Sequence, residues 1–202
     1  MASPSLPPIS TLHAADEETI KSVLDTLFEP APEIHELAVP VIREKRRRIP
    51  ANPGISADLA PPAGSFKPAM IPDEPVFTSY EALIRQVGEL MKQLSSREKL
   101  HGILGSHPRL GAKKVDSAQS RAEQAQLNTG ASDEAERLAA LNQEYEERFP
   151  GLRYVVFVNG RSRDVIMEDM RRRIDRGDIR AEEREGIQAM IDIALDRAKK
   201  LA

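Results

Sequence analysis

Along almost its whole length, this chain places apolar residues three and four positions apart, the repeat of a single helix face. In AADEETIKSVLDTLFE the face is Ile20, Val23, Leu24 and Leu27, with acidic residues in the first turn, where the helix dipole favours them. PEIHELAVPVIREKRRR reads as a second helix, with Pro32 near its start and Pro40 as a kink. TSYEALIRQVGELMKQLS carries the clearest stripe (Leu83, Val87, Leu90, Met91, Leu94), with Thr78 or Ser79 as cap. Ser95 and Ser96 open REKLHGILGS, and DSAQSRAEQAQLN forms another short helix. SDEAERLAALNQEYEERF follows, capped by Ser132 or Asp133. RSRDVIMEDMRRRIDRG and RAEEREGIQAMIDIALDRAKKLA close the series, with Gly177 as the stop between them. Only LRYVVFV, β-branched and aromatic, reads as extended. The expectation is an all-α, single-domain bundle of about eight helices with at most one short extended segment.

Two parts fall outside that pattern. Residues 1–11 are expected to be a loose, flexible N-terminal arm ahead of a helical domain over 12–202. Within that domain, 49–76 holds seven of the chain's fifteen prolines and reads as a long loop. It is not a domain boundary, because the helices before it would make too small a core alone.

Composition removes several kinds of function. With no cysteine there is no disulfide frame, thiol nucleophile or thiolate metal site, and four histidines without an HExxH pattern argue against zinc. A net charge of -3 gives no general reason to expect nucleic acid. No apolar run approaches the roughly 18 residues of a membrane helix, and MASPSLPPIS lacks the regions of a secretory signal. The chain is therefore expected to be cytoplasmic, without metal, nucleic acid or membrane.

Chemistry concentrates in two short motifs. In GSHPRLGAKK, Pro108 forces the helix to end at or before His107. His107 is then either a terminator that interacts with the helix dipole or an acid–base group. In SAQSRAEQ, Ser120, Glu123 and Gln124 share one helix face, which is either a solvated capping box or a polar binding face. The linker RLGAKKVD can fold that face over His107. An imidazole, a carboxylate, a hydroxyl and an amide around one cavity would suit acid–base work on a small polar substrate. A non-enzymatic alternative makes Arg171, Arg172, Arg173 and Arg176 a face for a protein or RNA partner, with His107 as a cap.

The ordered elements LIRQVGELMKQLSSREKLHGILGSHPRLGAKK, SRAEQAQL, LAALNQEYEERFPGLRYVVFVNGRS and IDIALDRAKKLA resemble the 2-oxo-4-hydroxy-4-carboxy-5-ureidoimidazoline (OHCU) decarboxylase family. ISTLHAADEETIKSVLDTLFEPAP also looks like that family's opening. The resemblance implies an all-α, cofactor-free homodimer that turns a small ureidoimidazoline into (S)-allantoin, the last step of urate degradation. It implies His107 as catalytic acid/base with Pro108 beside the substrate, and Glu123 as the essential carboxylate. Ser120, Arg121, Ala122 and Gln124 complete the substrate-binding turn. Tyr154, Val155, Val156, Phe157 and Val158 would offer main-chain groups to the ring, and Arg197 would reach the site from the last helix. A related lyase or hydrolase acting on another ureido compound is the enzymatic alternative. Some members carry a peroxisomal Ser-Lys-Leu ending, where this chain has Lys-Leu-Ala.

Overall fold

A computed structural model describes residues 5–44, 77–112, 118–124 and 132–202. Among them are nine helices: α1 (Ile9–Leu12), α2 (Glu17–Phe28), α3 (Pro32–Arg43), α4 (Tyr80–Lys92), α5 (Arg97–Gly105), α6 (Ala118–Gln124), α7 (Ser132–Arg148), α8 (Arg163–Arg176) and α9 (Ile179–Leu201). The all-α expectation holds, and the extra helix is the single turn of α1. The proline-rich stretch 49–76 lies outside the described residues.

Five of the helices begin where a side chain takes up orphan amides of the first turn. Asp16 accepts from the Thr19 amide, Ser79 from Ala82, Ser96 from Lys99 and Ser162 from Val165. Asp178 caps α9 by accepting from Arg180 and Ala181. Pro32 sits in the first turn of α3, and Pro40 lies inside that helix. Gly177 ends α8 at φ 64°, a left-handed position that a Cβ would strain.

The 23 residues of α9 make a rod of about 34 Å, and α2, α4 and α5 all pack against it. Gly186, Ile187, Met190, Ile191 and Ala194 are buried along its length. Opposite Ile191 stands Gly88 of α4, where a Cβ would come within 2.4 Å of the Ile191 Cδ1. The two helices therefore approach closely because that position lacks a side chain. A second layer pairs α7 with α8.

One expectation changes. Residues 5–11 are not a loose arm: the Leu6 amide donates to the Leu201 carbonyl at 2.9 Å, and the Tyr80 hydroxyl donates to the Pro7 carbonyl at 2.7 Å. Leu12 is buried at the end of α1. The apolar side chains of a proline-rich segment can dock without a regular repeat, so periodicity does not reveal them. LRYVVFV is non-helical, as expected, and the described residues contain no strand, within the expected bound of at most one short extended segment. A lone extended segment has no partner with which to form a ladder. Leu152, Tyr154, Val155 and Val156 are instead buried in the core.

Candidate active site

Helix α5 stops at Gly105, and His107 follows its C-terminal cap, Ser106. The turn after it is pinned from three sides. The His107 carbonyl accepts from Arg153 Nη1 at 2.9 Å, and the Leu110 carbonyl accepts from Asn142 Nδ2 at 3.0 Å. The Gly111 amide donates to Gln124 Oε1 at 2.8 Å. That last bond ties α6 to the histidine turn, so the two sequence motifs do meet.

Between them lies a cavity of about 270 Å³, close to the lower end of the usual range for small-ligand sites. His107, Pro108 and Leu110 form one wall; Ser120, Ala122, Glu123 and Gln124 form the second. The non-helical segment Tyr154–Val158, with Asn159 and Gly160, forms the third, and Ile193, Asp196 and Lys200 of α9 complete the lining. Among the described residues no cluster of three or more His, Asp or Glu side chains is placed to hold a metal ion.

His107 is 5% exposed, and its Nε2 has no hydrogen-bond partner. Burial, aided by the positive charge of Arg197 and opposed by the negative charge of Glu123, pushes its pKa down to about 3. The imidazole is therefore uncharged at neutral pH and able to accept a proton.

Glu123 is held from behind. Its two oxygens accept from Arg197 Nε at 2.7 Å and Nη2 at 2.9 Å, a bidentate pair. Arg197 Nη2 also donates to Ser120 Oγ at 3.0 Å and Glu29 Oε1 at 2.6 Å, while Nη1 donates to the Thr26 and Leu27 carbonyls. Burial opposes the charge of this guanidinium. The hydrogen bonds it donates to Glu123 and the charges of Glu123 and Glu29 outweigh that, and the net shift is upward. Arg197 is 2% exposed and does not line the cavity. All three of its nitrogens donate to protein acceptors.

Of the other residues singled out in the sequence, Arg121 is exposed and stands outside the lining. Tyr154 turns its hydroxyl away, donating to Asp169 Oδ2 at 2.6 Å, and burial raises its pKa. The segment after it contributes main chain. Arg161 donates to the Phe157 and Val158 carbonyls. The amides and carbonyls of Val155 and Val156, two buried residues, have no hydrogen-bond partner among the described residues. Buried main-chain groups are nearly always paired, and both of these residues stand in the cavity wall.

The helical repeat gave no sign of Glu29, Asn142, Arg153, Asp196 or Lys200. Only Asn142 had a local signal, sitting three residues before Tyr145 on one face of α7. The arginines of α8 do not make a free basic face. Arg171 pairs with Glu144 at 2.6 Å, Arg172 with Asp169, Arg173 with Asp169 at 2.9 Å, and Arg176 with Glu182 and Glu185.

Fold and cavity together define an all-helical protein with a small cavity lined by a buried imidazole and a carboxylate. The family model described as OHCU decarboxylase matches residues 58–199, and the chain belongs to that family. It is 37% identical over 83 residues to a 2-oxo-4-hydroxy-4-carboxy-5-ureidoimidazoline decarboxylase of Haloferax volcanii, covering 40% of this chain and 49% of that protein. It is also 27% identical over 132 residues to a uric acid degradation bifunctional protein of a Bacillus species, covering 64% of this chain and 26% of that one. The matches thus span about half and about a quarter of the two relatives. No described helix is long and apolar enough to cross a membrane.

Proposed function

We propose that this protein converts 2-oxo-4-hydroxy-4-carboxy-5-ureidoimidazoline to (S)-allantoin and CO2 without a cofactor, the last step of urate degradation to allantoin. One observation carries the reading: an uncharged, buried imidazole with an unpartnered Nε2 lines the same small cavity as a carboxylate. In the substrate, the leaving carboxylate sits on a hydroxyl-bearing ring carbon next to a conjugated C=N. When the bond to CO2 breaks, its electron pair enters the ring, and the ring nitrogen takes up one proton. A second proton then moves from the hydroxyl to the neighbouring carbon, leaving a carbonyl and creating the stereocentre. The ring is its own electron sink, so no pyridoxal or thiamine group is required.

His107 takes the hydroxyl proton and returns it to one face of the ring. The anionic substrate favours protonation of the imidazole once bound, which offsets the effect of burial. Glu123, fixed by Arg197, lies beside the leaving carboxylate and disfavours its charged ground state. The open main-chain groups of Val155 and Val156 receive the amide edges of the ring or ureido arm. Arg197 works through Glu123 rather than on the substrate.

The test offers freshly made, unstable urate-oxidation product and follows optical rotation. Dextrorotatory allantoin should form faster than in buffer alone. An unchanged rate would remove this activity, and turnover of another ureido compound instead would identify a related lyase or hydrolase. On the family's pattern, the working unit is a homodimer. Sedimentation at the monomer's mass under assay conditions would refute the dimer.

A further inference from the structure

We propose that Glu29 is a positioning residue of this site, holding Arg197 so that Glu123 keeps both its orientation and an unneutralised share of its charge. The inference rests on the decarboxylase reading of Glu123. Glu29 is the residue just past α2, and its side chain is 3% exposed. Its Oε1 accepts from Arg197 Nη2 at 2.6 Å and from Ser120 Oγ at 2.7 Å. One carboxylate oxygen thus ties the end of α2 to α6 and to α9, across 91 and 168 residues of sequence.

The backbone shows that this placement works against local preference. Glu29 has φ 71° and ψ 154°, a region that belongs essentially to glycine. Pro30 accounts for the extended ψ, because it disfavours the helical region for the residue before it. It does not account for the positive φ. A glycine would be the easy residue here, yet the chain carries a glutamate and buries its carboxylate.

Charge gives the reason a purely structural anchor does not. One guanidinium faces two carboxylates, those of Glu29 and Glu123. If Arg197 had only Glu123 to pair with, it would neutralise the cavity carboxylate fully. With Glu29 drawing on the same Nη2, Glu123 keeps negative charge facing a substrate that carries its own carboxylate. That repulsion falls as CO2 departs, so it raises turnover rather than affinity.

The test compares wild type, Glu29→Gln and Glu29→Gly for melting temperature, kcat and KM on the ureidoimidazoline, with Glu123→Gln in parallel. Gln keeps the shape and removes the charge; Gly also relieves the positive φ. Both Glu29 variants should melt within about 5 °C of wild type. Their kcat should fall at least about tenfold while KM stays level or drops. Retention of kcat within about twofold overturns the proposal. So does a rise in KM at unchanged kcat, or loss of the folded state in both variants, which would make Glu29 a structural anchor. If wild type itself forms no allantoin, the decarboxylase reading fails first. If wild type and Glu123→Gln behave as that reading requires while the Glu29 variants match wild type, only this inference fails.

Discussion

At the scale of single residues, the site is controlled by which polar groups are buried and by which charges face them. His107 illustrates the linkage. Its pKa is about 3 in the fold against 6.5 unperturbed, so between those values the unfolded chain holds a proton that the folded chain does not. The group's contribution to stability is full above pH 6.5 and declines as pH falls toward 3, by roughly 2 kcal/mol from pH 6.5 to 5. His107→Asn lacks this term, and its melting temperature should fall less on acidification than that of wild type. Parallel curves would show that the imidazole is not protonated on unfolding in that range. The same variant should lose about 10²–10⁴ in turnover at neutral pH, the usual contribution of a placed acid–base group. For Glu123→Gln, the bidentate pair to Arg197 is halved while Glu29 still holds that arginine. A stability loss of about 1–2 kcal/mol is expected, with activity down by orders of magnitude and KM unchanged or lower. An active variant of equal stability would reduce Glu123 to part of the wall.

Whole elements depend on packing that their own sequence only partly announces. The α4 stripe was legible: Leu83, Val87 and Met91 are buried, and Ser79 caps the helix as its spacing predicts. Gly177 was also legible, because a glycine between two amphipathic runs has few other uses. The contact of Gly88 with Ile191 was not, since a glycine inside a helical pattern does not say which helix will press against it. Gly88→Ala should gain helix propensity of up to about 1 kcal/mol. It must also displace an Ile191 Cδ1 lying 2.4 Å from the new Cβ, and overpacking of that kind costs about 1–3 kcal/mol. Net destabilisation is expected. Ile191→Val removes that terminal methyl, so the double variant should melt higher than the sum of the two single changes predicts. Strict additivity in denaturant melts would mean that the two helices do not meet at this point. The site divides the same way. His107, Pro108, Ser120, Glu123 and Gln124 lie in short local motifs that could be read in order. Glu29 joins them only through tertiary contacts, with Ser120 of α6 and Arg197 of α9, and no local pattern in LFEPAP marks its carboxylate as buried.

For the molecule as a whole, α9 is the shared surface. It packs against α2, α4 and α5, and its last turns carry Ile193, Asp196 and Lys200 to the cavity and Arg197 behind it. Anything that seats the end of α9 therefore bears on the site. The N-terminal segment does this directly, through the Leu6 amide on the Leu201 carbonyl. It is fastened in turn to α4 through the Tyr80 hydroxyl on the Pro7 carbonyl. Tyr80 is 8% exposed, and burial pushes its phenol up to about 12, so it remains a neutral donor throughout the working pH range. Tyr80→Phe keeps the ring in the core and removes only that donor, leaving the Pro7 carbonyl without it. The expected loss is about 1 kcal/mol, the net value of one hydrogen bond. Because Tyr80 lies outside the cavity, kcat should hold near wild type at temperatures well below melting, while the loss of activity on heating should move to lower temperature along with the melting transition. If the melting temperature is unchanged, the first residues are not fastened to α4. If kcat falls at a temperature where the variant is fully folded, the segment acts on the geometry of the α9 end itself and not only on its stability.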